Sequence, residues 1–209
     1  PGSYNVLGYI VMNCATLGEA VARIIPYEKL VGDMGITRIH AEPGGRTAIE
    51  WHCAYPNPLV RPHMIANVLA SWVNFCRWLA DIPNAAPKAV ELEFSAAETL
   101  WPEEQTTDPG RGNPARVLIG VREAFASVFN CPVHFSRPRS ALIIDDALLD
   151  IPLRQPDQTL RQTLESHASQ QIASLAEPGQ TLTIRTRNLI RRYLEKGITD
   201  NGVTGVLGA

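Results

Sequence analysis

The chain has no long apolar run, no excess of either charge and no paired cysteines, and each shortage closes a class of function. With 19% charged residues and a formal net charge of -2 at pH 7, it has no basic surplus of the kind that nucleic-acid binding requires. Any DNA reader therefore lies elsewhere. The four cysteines, Cys14, Cys53, Cys76 and Cys131, show neither CxxC nor metal-finger spacing. A chain of this size needs no disulfide staples, so they read as reduced thiols of a cytoplasmic protein. The longest membrane candidate, Met64 to Leu79, is interrupted by Asn67, Ser71, Asn74 and Arg77 and is too short to span a bilayer. Pro1-Gly2-Ser3 lacks the basic-then-apolar pattern of a secretory leader. There is no GxSxG, no HExxH, no phosphate-cradling glycine loop and no dinucleotide fingerprint, so no enzyme and no cofactor are expected.

What is present is a globular composition, 45% hydrophobic over 209 residues, enough for one generous core. Thr16 and Glu19 have capping-box spacing, and Leu17, Ala20, Val21, Ile24 and Ile25 follow at helical intervals. They predict one helix from Thr16 towards Leu30. Ile36 to Glu42 and Thr47 to Tyr55 alternate on either side of Pro43-Gly44-Gly45 and predict a hairpin. Arg61 to Asp81 carries a broad apolar helical face, and Ala89 to Phe94 alternates as a strand. The polar stretch Glu98 to Arg116, with its prolines and glycines, predicts a long surface loop. Beyond it come a helix at Val121 to Phe129, strands at Val133 to Phe135 and Ala141 to Ile144, and a helix at Asp157 to Leu175. After Glu177-Pro178-Gly179 the segment turns basic, with Arg185, Arg187, Arg191, Arg192 and Lys196. This change predicts a boundary: a first domain over 1–176, then a helical linker and the start of a second domain over 177–209.

This order, together with certain short motifs, resembles the arabinose-binding-type sensor domain of AraC/XylS regulators. Gly8-Tyr9 followed by Thr16-Leu17-Gly18-Glu19-Ala20 resembles the family's GY and TLGEA. Phe129, Cys131, Pro132, Val133 and Phe135 resemble its F-x-CPV-x-F, and Leu142, Asp145, Leu148-Leu149-Asp150, Pro152-Leu153 and Asp157 continue the pattern. The likeness covers about Leu7 to Leu175, and Ile190 to Ala209 looks like the entrance to the family's helix-turn-helix domain. The long loop, and Ser140 where the family often has Asn, depart from the pattern. The resemblance implies an α+β fold, a mainly antiparallel sheet of about five strands with helices on one face. It also implies a small-molecule effector, a homodimer, and DNA bound through a domain outside this chain.

Strand alternation sorts the sheet residues into two faces. Ile39, Ile49, Trp51, Cys53, Tyr55, Val90, Leu92, Phe94, Val133, Phe135 and Leu142 fall towards the helices. Arg38, His40, Glu42, Glu50, His52, Glu91, Glu93, His134 and Ser136 fall on the other side. The polar face is either solvated or a cup for a polar effector, with Arg38 holding a carboxylate or phosphate and Glu50 or Glu91 an ammonium or hydroxyl. A pocket between sheet and long helix, lined by Trp51, Tyr55, Trp72 and Cys76, would instead suit an apolar effector, although aromatics at such spacing commonly fill a core. His40, His52 and His134 with Glu50 have no metal-motif spacing, and no metal is expected. His52 and Cys53 point to opposite faces of a strand and cannot form a nucleophilic pair. On the helix at Leu160 to Leu175, Leu160, Leu164, His167 and Gln171 either pack within the domain or meet a partner copy. The sequence thus predicts an effector-sensing and dimerisation domain of a transcription regulator, or alternatively a ligand-free interaction module.

Overall fold

The computed structural model describes residues 4–100 and 114–175. The basic segment and the 177–209 linker lie outside them, as does most of the loop expected at Glu98 to Arg116. Contacts divide the chain into two units, Pro1–Gln170 and Gln171–Ala209. Of the second unit only Gln171 to Leu175, the end of a helix, is described.

The first unit opens with α1, Asn5–Met12, which the sequence pattern had not predicted. Next, the single helix expected over Thr16 to Leu30 is in fact three pieces: α2 (Leu17–Ala22), α3 (Ile24–Tyr27) and a 3-10 turn at Glu28–Leu30. Pro26 is the physical reason, because it has no N–H to give to the Ala22 carbonyl four residues back. The expected cap forms at Thr16, but the return bond of Glu19 goes to the residue before the cap. Thr16 Oγ1 accepts from the Glu19 N–H at 3.2 Å, and Glu19 Oε2 accepts from the Ala15 N–H at 2.6 Å.

Strands β1 (Gly35–Glu42) and β2 (Arg46–Cys53) form the hairpin, turned by Gly44 and Gly45 at φ of 81° and 67°. Helix α4 (Arg61–Ala80) starts with Pro62 in its first turn and ends on Asp81 in the left-handed region. Strand β3 is Ala89–Glu91, shorter than the alternation to Phe94 suggests. Even so, the Leu92 N–H still donates to the His134 carbonyl at 2.8 Å. Helix α5 runs from Pro114 to Phe129, so part of the expected loop is helical. Strands β4 (Val133–His134) and β5 (Ala141–Asp145) and helix α6 (Gln158–Leu175) complete the element order.

The fold is α+β, with one five-stranded sheet in the order β1-β2-β5-β3-β4. Its pairs are antiparallel except β3 with β4, which is parallel. Residues of alternating strand positions, among them Ile49, Trp51, Cys53, Val90, Leu92 and Leu142, pack with Ile65, Leu69 and Val73 of α4 and Phe129 of α5 into the main core. Helices α1 and α2 form a second cluster with Leu79 and Leu153, and Val6 and Ile10 of α1 meet Leu164 and Ala168 of α6 in a third.

Candidate functional site

The two faces of the sheet carry different chemistry, as the alternation requires. On the face away from the helices, Arg38, His40, Glu50 and His52 lie together on β1 and β2, with Arg38 opposite Glu50 and Ile36 opposite His52 in register. His40 Nε2 stands 3.4 Å from Glu50 Oε2. His134 is on β4, at the opposite edge of the sheet from β1, so these residues do not converge. Their carboxylate neighbours are also already engaged. Arg139 bonds Glu91 at 2.9 Å and Glu42 at 2.8 Å. It thereby bridges β3 and β1 over the two strands between them. These carboxylates, Glu91 first, raise the Arg139 pKa above its usual value. Arg137 approaches Glu91 at 3.6 Å and Arg61 meets Glu93 at 2.5 Å. Beneath this network lies an apolar floor of Ala48, Ala141 and Ile143, with Ala89 packed against it. The arginines were the part of this face that alternation did not reveal, since Arg137 and Arg139 lie outside the strands and Arg61 begins a helix.

On the other face, a cavity of about 460 Å³ lies between the sheet, α4 and the segment from α1 to β1. Here α4 contributes Met64, Asn67, Val68, Ser71, Trp72 and Phe75, successive residues of one helical stripe. Trp51 comes from β2, where Gly35 of β1, which pairs with Cys53 and so lies diagonal to Trp51, makes room for its ring. A Cβ on Gly35 would come within 2.5 Å of that indole. The far wall is α2, through Leu17, Ala20 and Val21. Trp51, Trp72 and Cys76 line the cavity; Tyr55 lies past the end of β2, exposed, and does not line it. Tyr4 stacks on Phe75 with ring centroids 4.8 Å apart and is hydrogen-bonded to Ser71. Burial raises the Tyr4 pKa and pushes the Cys76 thiol up to about 11. Tyr4, Met34 and Met64 were missed by sequence reading; only the α4 stripe carried a signal for this wall.

The wall at α2 has a second side. Glu19 pairs with Arg161 of α6 and, at 3.4 Å, with Arg23, and Arg23 Nε in turn bonds Glu165 of α6 at 2.8 Å. Arg161 is 8% exposed, and its Nε has no partner among the described residues. On α6, Leu164 is partly buried against α1, Leu160 and His167 are exposed, and Gln171 is half-buried. Among the described residues no cluster of metal-ligating side chains forms, and no helix is long and apolar enough to cross a membrane.

A helix-backed, mainly antiparallel sheet with an apolar cavity against its helices defines the α+β class of this domain. Residues 1–104 match the family described as the arabinose-binding domain of AraC transcription regulators, N-terminal, and this stretch of the chain belongs to that family. Among solved structures it is similar to the transcriptional regulator CdpR from Pseudomonas aeruginosa, with 15% identity and a TM-score of 0.52. The match covers 97% of this chain and 66% of that one. At that identity the likeness concerns the fold. No curated protein matches the chain.

Proposed function

We propose that this chain is the effector-sensing part of an AraC-type regulator and that its small-molecule effector occupies the apolar cavity. The observation supporting this reading is the two-sided position of α2. Its Leu17, Ala20 and Val21 wall the cavity, while its Glu19, with Arg23 just beyond it, pairs with α6. A ligand that binds one seating of α2 more tightly therefore biases the seating of α6, and differential affinity is sufficient for such a shift. In this reading residues 1–176 form the sensor, and 177–209 are a linker and the start of a helix-turn-helix domain. DNA is bound by that domain beyond this chain, in the cytoplasm, and the work done is sensing rather than catalysis. Dimerisation, the remaining part of the proposal, would use what α6 leaves outward, Leu160 and His167 with Gln171, since Leu164 is engaged inside the domain.

The test is a thermal-shift screen against sugars, amino acids, nucleotides and acyl compounds, followed by amide exchange with the best stabiliser. Protection should appear in α1, α2 and α4 and extend to α6. Protection centred on Arg38 and Glu50 would move the effector to the polar face, and an unchanged α6 would remove the coupling. Sedimentation of Leu160→Asp and His167→Glu against the parent chain tests the dimer.

A further inference from the structure

The charge state of the cavity wall names a ligand class, an inference that rests on the cavity reading above. Two described lining residues carry full charge, Glu28 and Arg77, and both are already engaged. The Glu28 carboxylate accepts from the Thr37 backbone N–H at 2.9 and 3.1 Å and from its hydroxyl at 2.5 Å. The Arg77 guanidinium donates to the Ala85 carbonyl at 2.7 Å, Asn74 Oδ1 at 3.2 Å, the Val128 carbonyl at 3.0 Å and the Phe129 carbonyl at 2.9 Å. Neither is left to pair a ligand's charge. Burying an unpaired carboxylate or ammonium costs several kcal/mol, far more than apolar contact along one side of a ligand returns.

Neutral hydrogen-bonding groups are also few. Met64, Val68, Trp72 and Phe75 dominate the α4 stripe, and its polar members are Asn67 and Ser71, one turn apart. The Ser71 hydroxyl already donates to the Val68 carbonyl at 2.8 Å and is bonded with Tyr4. Asn67, exposed like Val31 and Met34 of the wall, marks where the cavity meets solvent. A sugar brings several hydroxyls, and each one buried without a partner costs about 1–3 kcal/mol. This wall has nothing to satisfy them.

We infer that the cavity takes an uncharged, predominantly apolar molecule, such as an aliphatic alcohol, ester or amide, whose single polar group sits at the Asn67–Ser71–Tyr4 corner. The family description names arabinose, but the chemistry of this wall does not suit a free sugar.

The experiment uses the 209-residue chain with N-phenyl-1-naphthylamine, an uncharged fluorophore, read by energy transfer from tryptophan. Competitors are 1-decanol, decanoate at pH 8 and L-arabinose. The expected result is saturable probe binding, displaced by decanol, with decanoate weaker by more than about tenfold and arabinose inert. Val68→Phe, which fills the cavity, and Asn67→Trp, at an exposed rim position that the fold tolerates, should both weaken probe binding, with urea unfolding confirming that each variant is folded. Displacement by decanoate or arabinose as good as by decanol, or none by decanol, overturns the ligand class and leaves the cavity as a binding site. Probe binding that is absent, or untouched by both substitutions, overturns the cavity reading itself.

Discussion

Glu19 on α2 and Arg161 on α6 are ion-paired across 142 positions of sequence, and this pair ties the wall of the cavity to the C-terminal helix of the described domain. Arg161 is buried, and Glu19 is also the carboxylate that caps α2 through the Ala15 N–H. One side chain therefore fixes both the start of the helix and its attachment.

Removing the acid leaves the buried Arg161 with Glu165, 4.0 Å away, as its remaining carboxylate. Glu19→Ala should destabilise the chain by about 3 kcal/mol, whereas Arg161→Met, which removes the charge and keeps the stem, should cost much less. Urea unfolding at pH 7 measures both, and equal losses would mean that Glu19 acts mainly as a cap.

Gly35 should tolerate no side chain. Its Cβ would meet the Trp51 ring at 2.5 Å and the His52 carbonyl oxygen at 2.6 Å, so Gly35→Ala must displace a wall of the cavity. A loss of about 1–3 kcal/mol is expected from such overpacking. A shifted tryptophan emission should accompany it, and an unchanged spectrum with full stability would show that β1 moves aside freely.

The two arginines of the polar face should be unequal. Arg139→Ala leaves Glu42 and Glu91 both short of a partner and should cost about 1–2 kcal/mol. Arg137 is half exposed and 3.6 Å from Glu91, so Arg137→Ala should cost less than about 0.5 kcal/mol. Chemical denaturation of the two variants side by side decides it.

Alkaline pH should weaken the fold through two thiols. Burial raises Cys76 and Cys14 from an ordinary 9.0 to about 11. Above pH 9 the unfolded chain therefore loses thiol protons that the folded chain keeps. By linkage, the stabilisation is complete below pH 9 and is lost as pH rises towards 11. Urea midpoints at pH 8, 9 and 10 should fall progressively, and Cys76→Ala should flatten the fall. In the folded chain both thiols should alkylate slowly at pH 8.

Much of the scaffold was legible. The hairpin, α4 and the sorting of strand residues onto two faces follow from local periodicity, and the α2 cap follows from a four-residue motif. Where the reading failed, a competing local rule usually won, as with Pro26, whose missing N–H splits a helix that the apolar spacing alone would continue. The start of α5 was hidden because Pro114 fell within the Pro- and Gly-rich stretch to Arg116 that read as loop, although proline is well accommodated in a helix's first turn.

The site was less legible. Trp51, Trp72 and Cys76 could be named beforehand as residues between sheet and helix, but whether aromatics there fill a core or border a space depends on how closely α1, α2 and α4 approach. Likewise, Arg38 and Glu50 could be placed on one face of the sheet, yet nothing local foretold that Arg139 would span β1 to β3 and occupy the neighbouring carboxylates.

By itself the sequence determined the class of fold, the family likeness and the chemistry of each sheet face, because these rest on short-range spacing that every strand and helix must obey. Tertiary structure alone decided that a largely apolar cavity exists, that the charged Glu28 and Arg77 of its wall are already satisfied, and that α2 answers to both cavity and α6. Volume and pairing arise from segments far apart in the chain, and only their packing brings those segments together.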